Sequence, residues 1–311
     1  MNYPIFFDPK TSLNLFGLQK NFNFIFELYK KKKLPKVLMF SGNKGSGKST
    51  LVNHFLYSIF DFENYNLGKF IFKDNSTFLK QFQNNIFSNI IYISGADYKS
   101  VKIEDIRNLK TSIMQSTISN NDRFIVFDDI ELLNQNSLNA LLKIIEEPSQ
   151  KNFFFLINNK SRPLLETIKS RALEIKIILN ESQRLDIIEK LIVFFKLELI
   201  LHPKSSQLSP GNFVKFNYIC KEYNIIPTND FIENLRLLLN LYKKNKDMLF
   251  INLIFFIADN YLKILKDKNL FKNDKIFEIK NYIFDNLNNF MLYNINQNSL
   301  INAVNDKLNY E

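Results

Sequence analysis

Cysteine is almost missing from this sequence. Cys220 stands alone among 311 residues, so no intramolecular disulfide can form. A zinc cluster built on cysteines is excluded too, and two histidines, His54 and His202, cannot supply the rest of one. The opening MNYPIFFDPK lacks a charged region followed by an apolar run. No signal peptide is therefore expected, and the chain reads as cytoplasmic. Long apolar runs are scarce as well. The most apolar stretch, MLFINLIFFIA at 248–258, is too short for a membrane span and carries Asn252; it is expected to be a buried helix.

What is present is ordinary for a globular chain: 46% hydrophobic and 23% charged residues, at a length that suits about two domains. Lys and Arg number 41 against 31 Asp and Glu, a net charge of +10. That balance is compatible with a polyanionic partner such as nucleic acid. It also fits a compositionally biased proteome, since Lys and Asn abound everywhere and Phe reaches 32 while Trp is absent. The bias reading outweighs direct DNA contact, because charge alone says little about sites.

Short apolar runs recur with helical patterns between them. VLMF (37–40), IIYI (90–93), FIVF (124–127), FFFLI (153–157) and LEIKI (173–177) have strand length and β-branched or aromatic content. Alternation of such runs with helices predicts a parallel sheet covered on both faces. Leu138, Leu141, Leu142 and Ile145 follow helical spacing over 135–147, and Pro148 stops that helix. A second helix is expected over 102–115, with Ile103, Ile106, Leu109 and Ile113 on one face. From 181 onward the pattern is helical, interrupted at LSPGN (208–212). The expected domains are an α/β domain over 1–177, a small helical lid over 178–212 and an all-α domain over 213–311. The lysine run YKKKKLPK (29–36) is read as a solvated helix end.

Gly42-Asn43-Lys44-Gly45-Ser46-Gly47-Lys48-Ser49, with Thr50 next, fills the pattern G-x-x-x-x-G-K-[ST] after a strand and before a helix. The glycines let backbone N–H groups form an anion nest, and the helix start adds positive potential. Lys48 is expected to reach β/γ phosphates, and the Ser49 hydroxyl to ligate Mg²⁺. Asp128, at the end of a buried strand, is the expected Mg²⁺-side acid. Asp129 follows it. Where ATPases polarise water this position is often Glu, and Asp sets a base about 1.5 Å further back. Asp129 is thus either a weak base or an acid that caps the next turn.

The run SLNALLKIIEEPSQKNFFFLINNKSRPLLETIKSRA (137–172) resembles the clamp-loader family of AAA+ ATPases. There A-N-A-L-L-K-x-L-E-E-P precedes a strand, a polar sensor and S-R-C; here the matching stretches are LNALLKIIEEP, NN and SRA. NLFGLQKNFNFIFELYKKKKLPKVLMFSG resembles the family's opening, and LSPGN resembles the S-P-G-R of one member. The resemblance is good over roughly 14–177 and weak beyond. It implies an AAA+ P-loop domain, a helical lid and an all-α collar that joins sister subunits. It also implies Arg171 as an arginine acting in trans on nucleotide held by a neighbour, and Asn158 or Asn159 as the first sensor, unless both only cap a strand end.

Departures from the family pattern matter as much. S-R-C has become Ser170-Arg171-Ala172, and Asn212 stands where the second sensor is Arg. The zinc-binding cysteines that many relatives carry have no counterpart in 61–90. The resemblance therefore implies a subunit that holds ATP or ADP with Mg²⁺ and no zinc, hydrolyses it slowly or not at all, and offers Arg171 to a neighbour. Its implied partners are the other loader subunits, γ/τ-like and δ-like, with the sliding clamp and primer–template DNA reached through the complex and no membrane. The competing readings are the loader's active motor subunit, which the intact loop and Asp128–Asp129 pair favour, and another P-loop enzyme such as a kinase or DNA-dependent ATPase. No separate acidic constellation marks a polymerase site.

Overall fold

A computed structural model describes residues 3–95, 121–148, 151–204, 206–228, 230–268, 271 and 273–309. The helix expected over 102–115 lies outside the described residues. Two compact units emerge, one formed by residues 3–197 and 203–214, the other by 198–202 and the chain from 215 on.

In the first unit, α1 (Gln19–Lys30), β1 (Val37–Ser41) and α2 (Lys48–Phe60) come first, and the phosphate-loop sequence joins the last two. Next is a small antiparallel pair, β2 (Tyr65–Asn66) and β3 (Ile71–Phe72), and then α3 (Thr77–Gln83). The remaining elements are β4 (Ile90–Ser94), β5 (Arg123–Asp128), α4 (Gln135–Ile145), β6 (Asn152–Asn158), α5 (Glu166–Lys169), β7 (Leu173–Lys176) and α6 (Glu181–Phe195). α7 (Pro210–Glu222) begins in this unit. No strand follows Lys176 among the described residues.

The five longer strands form one parallel sheet in the order β4-β5-β6-β1-β7. Both faces are covered, which is why the strands read as near-continuous apolar runs. Alternation sorts their side chains. Leu38, Phe40, Phe124, Val126 and Phe155 pack with Phe22 and Ile25 of α1 and Leu51, Val52 and Phe55 of α2. Val37, Met39, Ile125, Phe127, Phe154 and Leu156 pack with Leu138, Leu141, Ile144 and Ile145 of α4. Asn134 caps α4 by accepting from the Ser137 amide at 2.8 Å. The strand order sets the carboxyl ends of β5, β6 and β1 side by side. Asp128, Asn158 and Ser41 therefore share one edge, where open α/β sheets receive ligands.

The second unit contains α8 (Phe231–Asn245), α9 (Met248–Asp267), α10 (Asn273–Tyr293) and α11 (Gln297–Asn309). Each packs on the next, and α11 returns to α8. Buried Gln297 joins those two, donating to Asn240 Oδ1 at 2.9 Å. The apolar stretch at 248–258 belongs to a helix of 20 residues, longer than its own run implied and long and apolar enough to meet the dimensions of a membrane span. Phe250, Ile251, Leu253, Ile254, Ile257, Ala258, Leu262 and Leu265 are buried, and α9 lies against α8 and α10. That packing accounts for its composition.

Candidate functional site

The phosphate loop leaves β1 through Gly42 and enters α2 at Lys48. Gly45 and Gly47 have φ of +82° and +90°, a region that glycine reaches without steric cost. Space is as restrictive as torsion. A Cβ on Gly42 would lie 2.3 Å from the Ile177 carbonyl oxygen, and one on Gly45 would lie 2.5 Å from Ser209 Oγ. Lys48 is buried, and its ammonium donates to the carbonyls of Gly42 and Asn43, both at 2.8 Å. Burial pushes its pKa down to about 8, against the opposing pull of Asp128, Glu131 and Asp129.

Asp128 ends β5 and faces the start of α2. Its Oδ2 accepts from Ser49 Oγ at 2.9 Å and from the Tyr92 hydroxyl at 2.9 Å. Tyr92 sits on β4 opposite Val126, two residues before Asp128, so both side chains share one face. Burial first, and Asp129 second, raise the Asp128 pKa, while Ser49, Tyr92 and the Asp129 amide hold it back. The paired hydroxyl and carboxylate are hard oxygen donors of the kind Mg²⁺ takes. Among the described residues no group of three or more His, Cys, Asp or Glu is placed to hold a metal ion. This donor set fits a cation completed by phosphate and water.

Asp129 is buried with left-handed backbone, φ +49°. It precedes a short 3-10 turn, Ile130–Leu132, yet its side chain caps nothing there. Instead Lys44 Nζ lies 3.1 and 3.2 Å from its two oxygens, and Asn159 Nδ2 donates to Oδ1 at 2.7 Å. The two asparagines at the end of β6 divide their tasks. Asn158 Oδ1 accepts from the Lys160 amide at 2.9 Å and forms a turn. Asn159 reaches the acid.

Glu131 escaped the sequence reading. It is buried and accepts from the amides of Asn159 (3.1 Å) and Ser161 (3.2 Å) and from Ser161 Oγ (2.7 Å). It thereby holds the turn that aims Asn159. The available signal was an acid two positions after Asp128–Asp129 on a turn against the next strand.

Across the loop, the start of α7 touches it directly. Ser209 Oγ donates to the Lys44 carbonyl at 2.6 Å, and the Gly211 amide donates to the Gly45 carbonyl at 2.8 Å. Asn212 is in the same turn; a Cβ on Gly45 would lie 2.8 Å from its amide nitrogen. Loop residues 42–49, Asp128, Asp129, Asn159 and Asn212 thus converge on one site. Arg171 keeps other company. Its guanidinium donates to Glu146 Oε1 at 2.6 Å and to the Thr167 carbonyl at 3.0 Å, on an exposed surface.

Residues 17–180, more than half of the chain, match the family described as "DNA polymerase III, delta subunit". The chain belongs to that family. It is a member of the clamp-loader group of AAA+ proteins, and the sheet order and helical C-terminal portion agree with that fold. It is 30% identical to the DNA polymerase III γ subunit of Buchnera aphidicola subsp. Acyrthosiphon pisum, over 52% of this chain and 42% of that one. It is also 37% identical to the δ′ subunit of Buchnera aphidicola subsp. Schizaphis graminum, over 22% of this chain and 21% of that one. These matches span less than half of either relative's length. A γ-subunit-related protein of DNA polymerase III from Thermotoga maritima, known from its crystal structure, is 15% identical, with a TM-score of 0.47 over 91% of this chain and 98% of that one.

Proposed function

We propose that the chain is a δ′-like subunit of a DNA polymerase III sliding-clamp loader, one that holds ATP or ADP with Mg²⁺ and serves as a stator. Arg171 carries this reading. The arginine of the S-R signature stands at the surface, paired with Glu146 rather than with its own phosphate loop, where a neighbouring subunit's nucleotide can meet it. A guanidinium fork stabilises charge that develops on a transferring γ-phosphoryl group.

In the chain's own site, loop amides and Lys48 bind phosphate oxygens, and Ser49 and Asp128 are the residues that would hold Mg²⁺. When bound, that cation neutralises charge shared by the β- and γ-phosphates. Asp129 is poorly placed to orient water, since Lys44 and Asn159 already engage its carboxylate. Asn212 brings no cation from the lid. Both features support slow or absent turnover here. The second reading, an active motor subunit, draws on the complete loop and the Asp128–Asp129 pair.

The deciding experiment is ATP turnover by a reconstituted loader. On the stator reading Arg171→Ala removes most of the complex's turnover while Lys48→Ala in this chain leaves it nearly intact. The reverse order makes this subunit a motor. Loss of labelled-nucleotide binding by Lys48→Ala in the isolated chain reports on the loop independently.

A further inference from the structure

At the opposite edge of the sheet from the phosphate loop lies a cavity of about 660 Å³, lined by Tyr29, Lys30, Lys32, Lys36, Asp122 and Phe153 together with Phe26, Ser58 and Phe62. That size suits a ligand of small-molecule dimensions. Lys36 precedes β1, Asp122 precedes β5 and Phe153 opens β6, so the cavity sits at the amino ends of the strands. β1 alone separates the two edges by roughly 16 Å. The cavity takes no part in the site described above.

Its lining alternates cations with rings. Lys30 Nζ stands 4.6 Å from the Phe26 ring centroid and Lys36 Nζ 3.7 Å from that of Phe153. Both stems rest on apolar surface; Lys30 is exposed, whereas Lys36 is half-buried, its pKa lowered by burial against the opposing charge of Asp122. Lys32 adds a third ammonium group, within the exposed run Lys30–Lys33. Phe62 stands at the lip, 54% exposed. Inside, the Asp122 carboxylate accepts from the Tyr29 hydroxyl at 2.8 Å and keeps acceptor capacity.

We propose that this cavity binds single-stranded nucleic acid, with one base between Phe62 and the inner rings and its flanking phosphates on Lys30, Lys32 and Lys36. Rings that stack bases beside cations that track the backbone are the elements such sites use. The rings favour bases over an acidic peptide, and the Asp122 carboxylate can accept from the exocyclic amine of cytosine or adenine. Thymine has no such amine, so the site favours dC and dA over dT.

The test is anisotropy of fluorescein-labelled dC20, dA20 and dT20 with the full chain from 50 to 200 mM NaCl. Three phosphate contacts give a slope of log affinity against log salt near −2, a loss of about 20-fold across that range. Lys30→Gln with Lys32→Gln brings the slope to about −0.7, a loss of only ~3-fold. Phe62→Ala weakens binding at least about fivefold with the slope unchanged. Asp122→Asn abolishes the preference for dC and dA. Lys263→Gln with Lys266→Gln, an equal loss of charge elsewhere, changes neither slope nor preference. An equal effect of that control pair overturns the proposal in favour of a diffuse basic surface. Loss of binding in Lys48→Ala, or displacement by MgADP, overturns it by placing the oligonucleotide in the phosphate loop. Tighter binding of labelled poly-glutamate than of dC20 at the same salt overturns it in favour of an acidic peptide.

Discussion

The amide of Gly211 donates to the carbonyl of Gly45 at 2.8 Å, so the first turn of α7 rests on the outer side of the phosphate loop. The two segments approach this closely because neither residue carries a side chain. A Cβ on Gly211 would come within 3.0 Å of Gly45 Cα, and one on Gly45 within 2.8 Å of the Asn212 amide nitrogen. Gly45→Ala adds left-handed strain to that clash and is expected to cost about 2–3 kcal/mol. Gly211→Ala asks for a shift of tenths of an ångström and costs less. Ser209→Ala removes one hydrogen bond, about 1 kcal/mol. Native-state hydrogen exchange at the Gly211 amide checks the ranking: protection falls most in Gly45→Ala and least in Ser209→Ala. Unchanged protection in Gly45→Ala means that the contact does not hold α7 to the loop.

Glu131 anchors the turn after β6 through three donors. Glu131→Ala takes the acceptor from the half-buried Asn159 amide, while exposed Ser161 can turn to water, and is expected to cost about 1–2 kcal/mol, or roughly 2–8 °C in the melting temperature of a unit this size. Glu131→Gln keeps the shape but turns a donor toward donors, so its loss falls between wild type and alanine. Thermal melts of the three proteins give the order directly. Equal melting temperatures refute an anchoring role.

Much of this architecture was readable in the sequence. Strands buried on both faces announce themselves as apolar runs, and all five expected runs became strands within two residues of their ends. The phosphate loop was readable because its chemistry demands glycine, lysine and a hydroxyl at fixed spacing. Partners set by tertiary approach were not. Nothing local in Lys44 points to Asp129, 85 positions later, or in Glu146 to Arg171. Those pairs exist because parallel crossovers bring distant strand ends together. Asn158 and Asn159 are identical in type and adjacent, and only the backbone turn at Lys160, φ +56°, decides which one reaches the acid.

On the stator reading, Arg171 separates stability from function. Its ion pair with Glu146 is largely exposed, and pairs of that kind contribute about 0–1 kcal/mol. Arg171→Ala is thus expected to shift the melting temperature by less than about 4 °C. In a reconstituted loader the same change is expected to lower turnover by about 10³-fold, as loss of a trans arginine does. Glu146→Gln retains the guanidinium and lowers turnover by no more than about tenfold. A melting loss in Arg171→Ala well beyond that bound assigns the residue to the fold instead.

His54 gives the first unit a defined acid sensitivity. It is fully buried on α2, with Nε2 3.1 Å from the Ser12 carbonyl and Nδ1 3.0 Å from the Tyr65 hydroxyl. A carbonyl can only accept, so Nε2 carries the proton and Nδ1 accepts from Tyr65, which is the neutral tautomer. Burial lowers the imidazole pKa to about 3, with the Ser12 hydrogen bond opposing. Between that value and the ordinary 6.5 the unfolded chain binds a proton that the folded chain refuses. Stability is therefore complete above pH 6.5 and falls as pH drops toward 3, by about 1.4 kcal/mol per pH unit. At pH 5.0 the loss is about 2 kcal/mol. His54→Gln can keep both hydrogen bonds and has nothing to titrate. Denaturant unfolding at pH 7.0, 6.0 and 5.0 compares the two proteins, and their difference removes the carboxylates common to both. Wild type should lose about 2 kcal/mol relative to His54→Gln on going to pH 5.0. Parallel curves would show that the imidazole takes up its proton inside the fold, against the burial and tautomer described above.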